Sequence, residues 1–341
     1  MKTISSLFFL LGVAVITVIM AKLGVRPILE AFGHLGAWGF ADIVLAQLVV
    51  NIFLGVAWFA ACPQLGLGRA IGARAVRDAV SNCLPFSQLG GMIVGVRATC
   101  KKRPARSRKP PIGLAEAAAT NIVDITTEVL GQIAFVLLAI LCLTRHSGAA
   151  QFTVPALIGI SIIAIGVAGF IWTQHKGGAL LRRLGLALSH HITHSWGALI
   201  NDNIHQFQSY LEALWARPGR VALSAFLHLL AWISGAGITY LALHLLGAPV
   251  SFIAAIAIEG IVCGIMSASF VVPAALGVQE AAYIALGLLV GVSADSGVVI
   301  SLLRRGRDLA IGIPVIIIWQ LYEWRSLRNL RADDAQLSAE P

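Results

Sequence analysis

Apolar residues in this chain run in long blocks, not in the short alternations of a soluble domain. Blocks near 4–22, 41–61, 118–143, 153–173, 221–246 and 250–270 each approach the roughly 20 mostly apolar residues that a helix needs to cross a bilayer, and they predict six spans. The stretches 83–96, 281–303 and 308–322 are shorter or interrupted, and each fits either a re-entrant hairpin or a full crossing. The pattern predicts an all-α integral membrane protein with about six to eight transmembrane helices plus re-entrant broken helices. These form two repeat-like halves within a single polytopic domain, 1–325. Lys2 precedes the first block, but no small-x-small cleavage site appears before Lys22, so this block is expected to be a retained helix and not a removed signal.

Two of the interruptions resemble each other. NCLPFSQLGG runs from Asn82 to Gly91 and VVPAALGVQE from Val271 to Glu280, and each sets a Pro a few residues ahead of a Leu-Gly pair. Pro85 with Gly90 and Gly91, and Pro273 with Gly277, remove a backbone donor and loosen the helix. Backbone left unpaired in this way persists at membrane depth only where protein lines a cavity. Corresponding breaks in two halves of a hydrophobic chain are the pattern of carriers built from internal repeats, with the site where the broken segments meet.

Polar residues inside the apolar blocks supply the candidate chemistry. Asn121, Asp124, Glu128 and Gln132 follow helical steps of three, four and four, so one polar stripe marks an otherwise apolar helix. Glu259 sits in the middle of another block. Gln279, Glu280 and Tyr283 follow the second break, and Arg304, Arg307 and Asp308 offer charges of both signs. Ionisable groups at such depth are costly and face a polar cavity or one another. Two readings follow: structural ion pairs that tie helices together, or a polar groove lined by Asn82, the broken motifs and these charges.

Charge placement predicts orientation. Arg97 to Pro111 holds seven basic residues and no acidic one, which makes 97–117 a cytoplasmic loop by the positive-inside rule. The tail, 326–341, is cytoplasmic on the same argument, with Arg325, Arg328 and Arg331 around its start. A cytoplasmic tail requires an even number of crossings, and that places the Arg304 cluster near the outer face or inside a cavity. The segment 176–220 is expected on the cytoplasmic side. Within it, Ile192–Trp215 has apolar residues at three- and four-residue steps broken by Asp202, Asn203 and Gln206, the pattern of an amphipathic helix on the membrane or against the bundle.

Composition narrows the function classes. Hydrophobic residues make up 58% of the chain and charged residues 12%, with a mean hydropathy of +0.84 and a net charge of +9. The basic run lacks aromatic residues for stacking on bases, so no nucleic-acid partner is expected; anionic lipid is the expected contact. There is no nucleophile elbow, Walker loop, zinc motif or paired Cys-x-x-Cys, so neither an enzyme nor a cofactor is expected. His190, His191 and His194 form a small cluster without a completed ligand shell. The five scattered cysteines predict no disulfide framework. Cys100, beside Lys101 and Lys102, is the one thiol whose neighbours would favour a lowered pKa.

LPFSQLGG, then VDITTEVLGQ, then PAALGVQEAAY followed by SLLRRGRDLAIGIP together resemble the flippase-like membrane region of the lysylphosphatidylglycerol synthases, closest to the hopanoid-biosynthesis-associated HpnL branch. The resemblance covers about residues 4 to 325. It implies an inner-membrane protein that moves a lipid between leaflets, here a hopanoid or hopanoid-associated lipid, with hopanoid-biosynthesis proteins as possible partners. Pro85, Gly90, Gly91, Pro273, Gly277 and Glu280 match the family's broken motifs. Many relatives carry a Glu after the first motif's Gly, where this chain has Gly91 and Met92. Little chain follows the last apolar segment, so lysyl transfer is not expected.

Overall fold

A computed structural model describes residues 25–83, 87–100, 112–146, 194–268 and 277–337. Among these residues it has nine α-helices, one 3-10 turn and no strand: α1 Val25–Ala61, α2 Leu67–Cys83, α3 Ser87–Thr99, α4 Leu114–His146, α5 His194–Trp215, α6 Pro218–Leu245, α7 Phe252–Ala268, α8 Val278–Leu289 and α9 Ala294–Leu337. The expected spans 4–22 and 153–173 lie outside the described residues, as do Pro85, Pro273, His190, His191 and most of the basic run.

Among the described residues three helices are long and apolar enough to cross a membrane: Leu35–Ala61, Leu114–Thr144 and Pro218–Leu245. They coincide with three of the expected blocks. The outer stripe of α1, with Leu45, Val49 and Ile52 each more than half exposed, repeats at helical spacing and would be costly in water, which makes it a lipid-facing surface. Gly36 interrupts α1 with φ 71° and ψ 164°. Pro218 begins α6 at a position where its missing N–H has no helical partner to lose.

The interrupted stretches become helical hairpins. α2 and α3 pack on each other across the first broken motif, and α7 and α8 across the second. Within the 250–270 block the described residues form the 17-residue α7, about 25 Å long. The 281–303 stretch is split by a turn at Val290–Ser293 with Gly291 at φ 84°. By contrast, 308–322 lies inside the continuous 44-residue α9, which carries Pro314 within it.

The helix contacts reveal an internal repeat. Exchanging α1, α2, α3 and α4 for α6, α7, α8 and α9 maps the packing onto itself: α4 on α7 becomes α9 on α2, α4 on α6 becomes α9 on α1, and α1 on α6 is its own counterpart. α1 and α6 run antiparallel, since Arg220 at the start of α6 donates to Ala60 O at the end of α1 and Leu245 lies beside Gly39. A pseudo-two-fold that swaps antiparallel helices lies in the membrane plane, which makes this an inverted-topology repeat. α5 stands outside the repeat. It packs on α4 through Leu211 and Leu214 while His205, Gln206 and Tyr210 stay exposed, so the apolar residues of its C-terminal half rest on the bundle.

Close approach of α4 and α6 depends on Gly131, where an added Cβ would meet His228 Cβ and the Leu229 nitrogen at 2.8 Å. Gly131→Ala is expected to destabilise the protein by about 1–3 kcal/mol through overpacking. Gly235→Ala, on the same α6 but with nothing within 4 Å, should be neutral or stabilising by up to about 1 kcal/mol. Thermal unfolding in detergent separates the two; equal effects would refute the close α4–α6 contact.

Candidate functional site

The first centre grows from α2. Arg74, Arg77 and Asp78 stand at i, i+3 and i+4 and so share one helix face. Arg74 donates from Nε to Asp78 Oδ2 at 2.7 Å and from Nη1 to Asp124 Oδ2 at 3.0 Å, and its Nη2 pairs with Glu128 Oε1. Arg77 Nη2 lies 2.7 Å from Asp124 Oδ2 and 3.1 Å from Glu128 Oε2. Its guanidinium also sits 5.3 Å from the centroid of the buried Trp58 ring, a cation–π contact, and Trp58 Nε1 donates to Thr120 O at 3.1 Å. His228 of α6 closes the far side, with Nε2 at 3.5 Å from Asp124 Oδ1.

The first broken motif makes this packing possible. A Cβ at Gly91 would collide with the Ser81 side chain and come 2.9 Å from Arg77 O, so the α2–α3 hairpin has no room there for a larger residue. Asn121, the inner end of the polar stripe, donates to Thr99 Oγ1 and Ala117 O. From there the stripe runs outward: the Asp124 side chain is 0% exposed and that of Glu128 21%. Gln132 reaches Cys263 Sγ at 2.9 Å and Ser267 Oγ at 2.6 Å, at the threshold of the second broken motif.

A second centre lies between α6, α7, α8 and α9. Glu259 Oε2 accepts from Thr239 Oγ1 and from Tyr283 OH, each at 2.7 Å. Arg304 binds Glu259 Oε1 and donates to Tyr283 OH at 2.8 Å. Gly260 packs directly on Ala139 of α4, fifteen residues beyond Asp124, so the two centres lie about 22 Å apart along that helix.

The sequence-predicted residues therefore divide. Asn121, Asp124 and Glu128 join the first centre, and Glu259 and Arg304 the second. Gln279 and Glu280 instead lock α8 to α9: Gln279 Nε2 donates to Ser301 Oγ at 2.9 Å, Ser301 donates to Glu280 Oε1 at 3.1 Å, and Arg305 Nε donates to the same oxygen at 2.9 Å. Glu280 Oε2 also accepts from the N–H of Gly277, whose φ of 81° suits glycine. Arg307 pairs with its neighbour Asp308 at 2.8 Å, and Cys83 Sγ approaches Asp308 O at 3.8 Å. Gly90 is partly buried on α3, and Asn82 is exposed at the end of α2. Arg304, Arg305 and Arg307 are each paired with a carboxylate within the bundle.

Several central residues were missed. Arg74, Arg77 and Asp78 lie in a segment too polar to count as a span, although their spacing alone places them on one helix face. His228 was passed over inside an apolar block. The expectation for Cys100 reverses: burial pushes its thiol pKa up, against the pull of Arg97.

Asp124, Glu128 and His228 offer one ligand atom each, all within 4.8 Å of one another, which is spacing a metal ion could use. Arg74 and Arg77 already donate into those carboxylates, so a divalent ion would have to displace two guanidinium groups.

An inverted repeat of apolar helices with two buried ionic centres marks an all-α polytopic membrane protein. The chain belongs to the family described as the lysylphosphatidylglycerol synthase TM region, whose sequence model matches residues 5–316. Comparison with curated proteins and with solved structures gives no match.

Removing one partner of a buried pair leaves a charge without compensation, typically at a cost of about 3–5 kcal/mol. Arg304→Met is expected to lose that much stability, and Arg304→Met with Glu259→Leu to recover most of it. A double-mutant cycle by thermal unfolding checks this; additive losses would show that the two side chains are not coupled.

Proposed function

We propose that this protein moves a membrane lipid between leaflets, with the headgroup passing along the polar stripe between the two ionic centres while the apolar part stays in hydrocarbon. The observation that carries this reading is the graded exposure of the stripe, from Asn121 and Asp124 buried in the bundle to Gln132 at an exposed contact with Ser267. A purely structural ion pair needs no such outlet. A headgroup stripped of water costs several kcal/mol in apolar surroundings, and fixed charges and dipoles spaced across the bundle offset part of that at each depth.

The substrate we favour is a hopanoid or hopanoid-associated lipid, with anionic phospholipid second. Support comes from the likeness of the broken motifs to the hopanoid-associated branch. The same likeness, with the basic 97–111 run and the basic tail, supports a bacterial inner membrane and a cytoplasmic C-terminus. The reading assigns the protein no bond-making step on the lipid.

Reconstituted protein should speed the exchange of a labelled lipid between vesicle leaflets. Gln132→Leu, at the outlet, and Glu128→Gln should each slow it by roughly 10- to 100-fold at equal abundance, the equivalent of about 1.5–3 kcal/mol for a hydrogen bond to a charged group. Gln132→Leu should leave thermal stability close to wild type. Unchanged rates in both variants would remove the stripe from the mechanism. A requirement for the basic run in cells, with both variants silent, would favour a scaffold for lipid-biosynthetic enzymes.

A further inference from the structure

We infer that Asp124 and His228 form a one-proton site, and that this proton is the ion coupled to lipid movement. The site stands on its own geometry; the coupling rests on the lipid-transport reading above. His228 is fully buried, and its Nδ1 lies 2.9 Å from the Ser224 carbonyl oxygen. A carbonyl only accepts, so Nδ1 carries the hydrogen and Nε2 of the neutral ring presents a lone pair. That lone pair faces Asp124 Oδ1 at 3.5 Å. Asp124 Oδ1 is itself buried and has no hydrogen-bond donor among the described residues. Asp124 Oδ1 thus faces a ring lone pair, with no N–H or O–H of its own to accept from. Arg74 Nη1 gives one N–H to Asp124 Oδ2 at 3.0 Å and turns its second toward Nε2 at a long 3.5 Å, so Asp124 Oδ1 is the acceptor left without a donor.

Charge balance points the same way. Arg74 and Arg77 face Asp78, Asp124 and Glu128, so with a neutral imidazole the centre is one negative charge in excess. One proton on Nε2 makes an imidazolium that donates to Asp124 Oδ1, gives that oxygen its missing partner and brings the centre to neutrality. A divalent ion would overshoot to a net positive charge beside two guanidinium groups. Of the other helices on α6, α7 and α9 bring Glu259 and Arg304, which are bound to each other. Asp42 of α1 and His205 and Glu212 of α5 are exposed. The partly exposed carboxylates of Asp78 and Glu128, 19% and 21%, connect the centre to its surroundings. The proton arrives from water on one face and leaves to water on the other as the hairpins shift against α4 and α9.

The site is tested on the full-length protein in lipid nanodiscs by histidine nitrogen NMR between about pH 5 and pH 9, with His228→Asn used to assign the signal. The expected result is a ring protonated at Nδ1 alone at high pH, taking up a second proton on acidification. A ring protonated at Nε2 alone, or one that stays neutral throughout, overturns the site. Coupling is tested in vesicles carrying the protein, with a labelled anionic phospholipid and a pH gradient of about two units imposed in either direction. The expected result is at least about a fivefold difference in the rate of lipid movement between the two directions, lost in His228→Asn. Lipid movement indifferent to the gradient overturns the coupling. An absence of lipid movement in the wild type overturns the transport reading and the coupling with it, while the NMR result still decides the proton site.

Discussion

A charge carried into hydrocarbon has to meet its opposite, and this bundle is organised around that requirement. Arg74 and Arg77 reach the interior on a short helix rich in Ala and Gly, and Asp124 and Glu128 are there to receive them. The remaining features of the first centre follow from making that meeting tight. Gly91 lets the hairpin fold back against α2, Gly131 lets α6 bring His228 within reach, and Trp58 covers the outer guanidinium while tying α1 to α4. Replacing such a network with apolar side chains of similar volume is often neutral or stabilising in other proteins. Its retention here, with an outlet, is therefore more readily understood as function than as stability.

The repeat gives this arrangement a second, complementary copy. In the first half the hairpin arm carries the cations and the following long helix the carboxylates, with Arg74 and Asp124 fifty residues apart. In the second half the arm carries Glu259 and the long helix Arg304, forty-five residues on. Each hairpin also leans on the long helix of the opposite half, α2 on α9 and α7 on α4. The halves are therefore mechanically linked: a shift of either hairpin is felt by the other half's long helix.

Much of this was legible in the sequence, for definite reasons. Long apolar blocks and paired Pro–Gly breaks report directly on backbone hydrogen bonding in lipid, so the helical class and the repeat-like halves could be read from them, whereas the choice between hairpin and crossing stayed open because it is set by tertiary packing. The Asn121–Gln132 stripe was visible because its periodicity is helical. The positive partners of the first centre were not, because α2 is too polar on average to look like a membrane segment and its arginines resemble loop charges until they are seen facing Asp124. Nor could spacing show that Glu259 and Asp124 belong to different depths, since that is set by the Gly260–Ala139 contact. Glu280 looked like a site carboxylate, and the structure gives it the work of a helix cap and an ion pair with Arg305.

The opposite signs of the two hairpin arms have an electrical consequence. Counting Arg74, Arg77 and Asp78, the arm of the first hairpin is net positive, and the arm of the second carries the negative Glu259. A membrane potential is worth about 2.3 kcal/mol per elementary charge per 100 mV across the full thickness. It therefore pulls the two arms in opposite directions along the bilayer normal. Because the arms belong to inverted halves, opposite displacements are equivalent under the pseudo-two-fold, and a single field favours one joint rearrangement over its reverse.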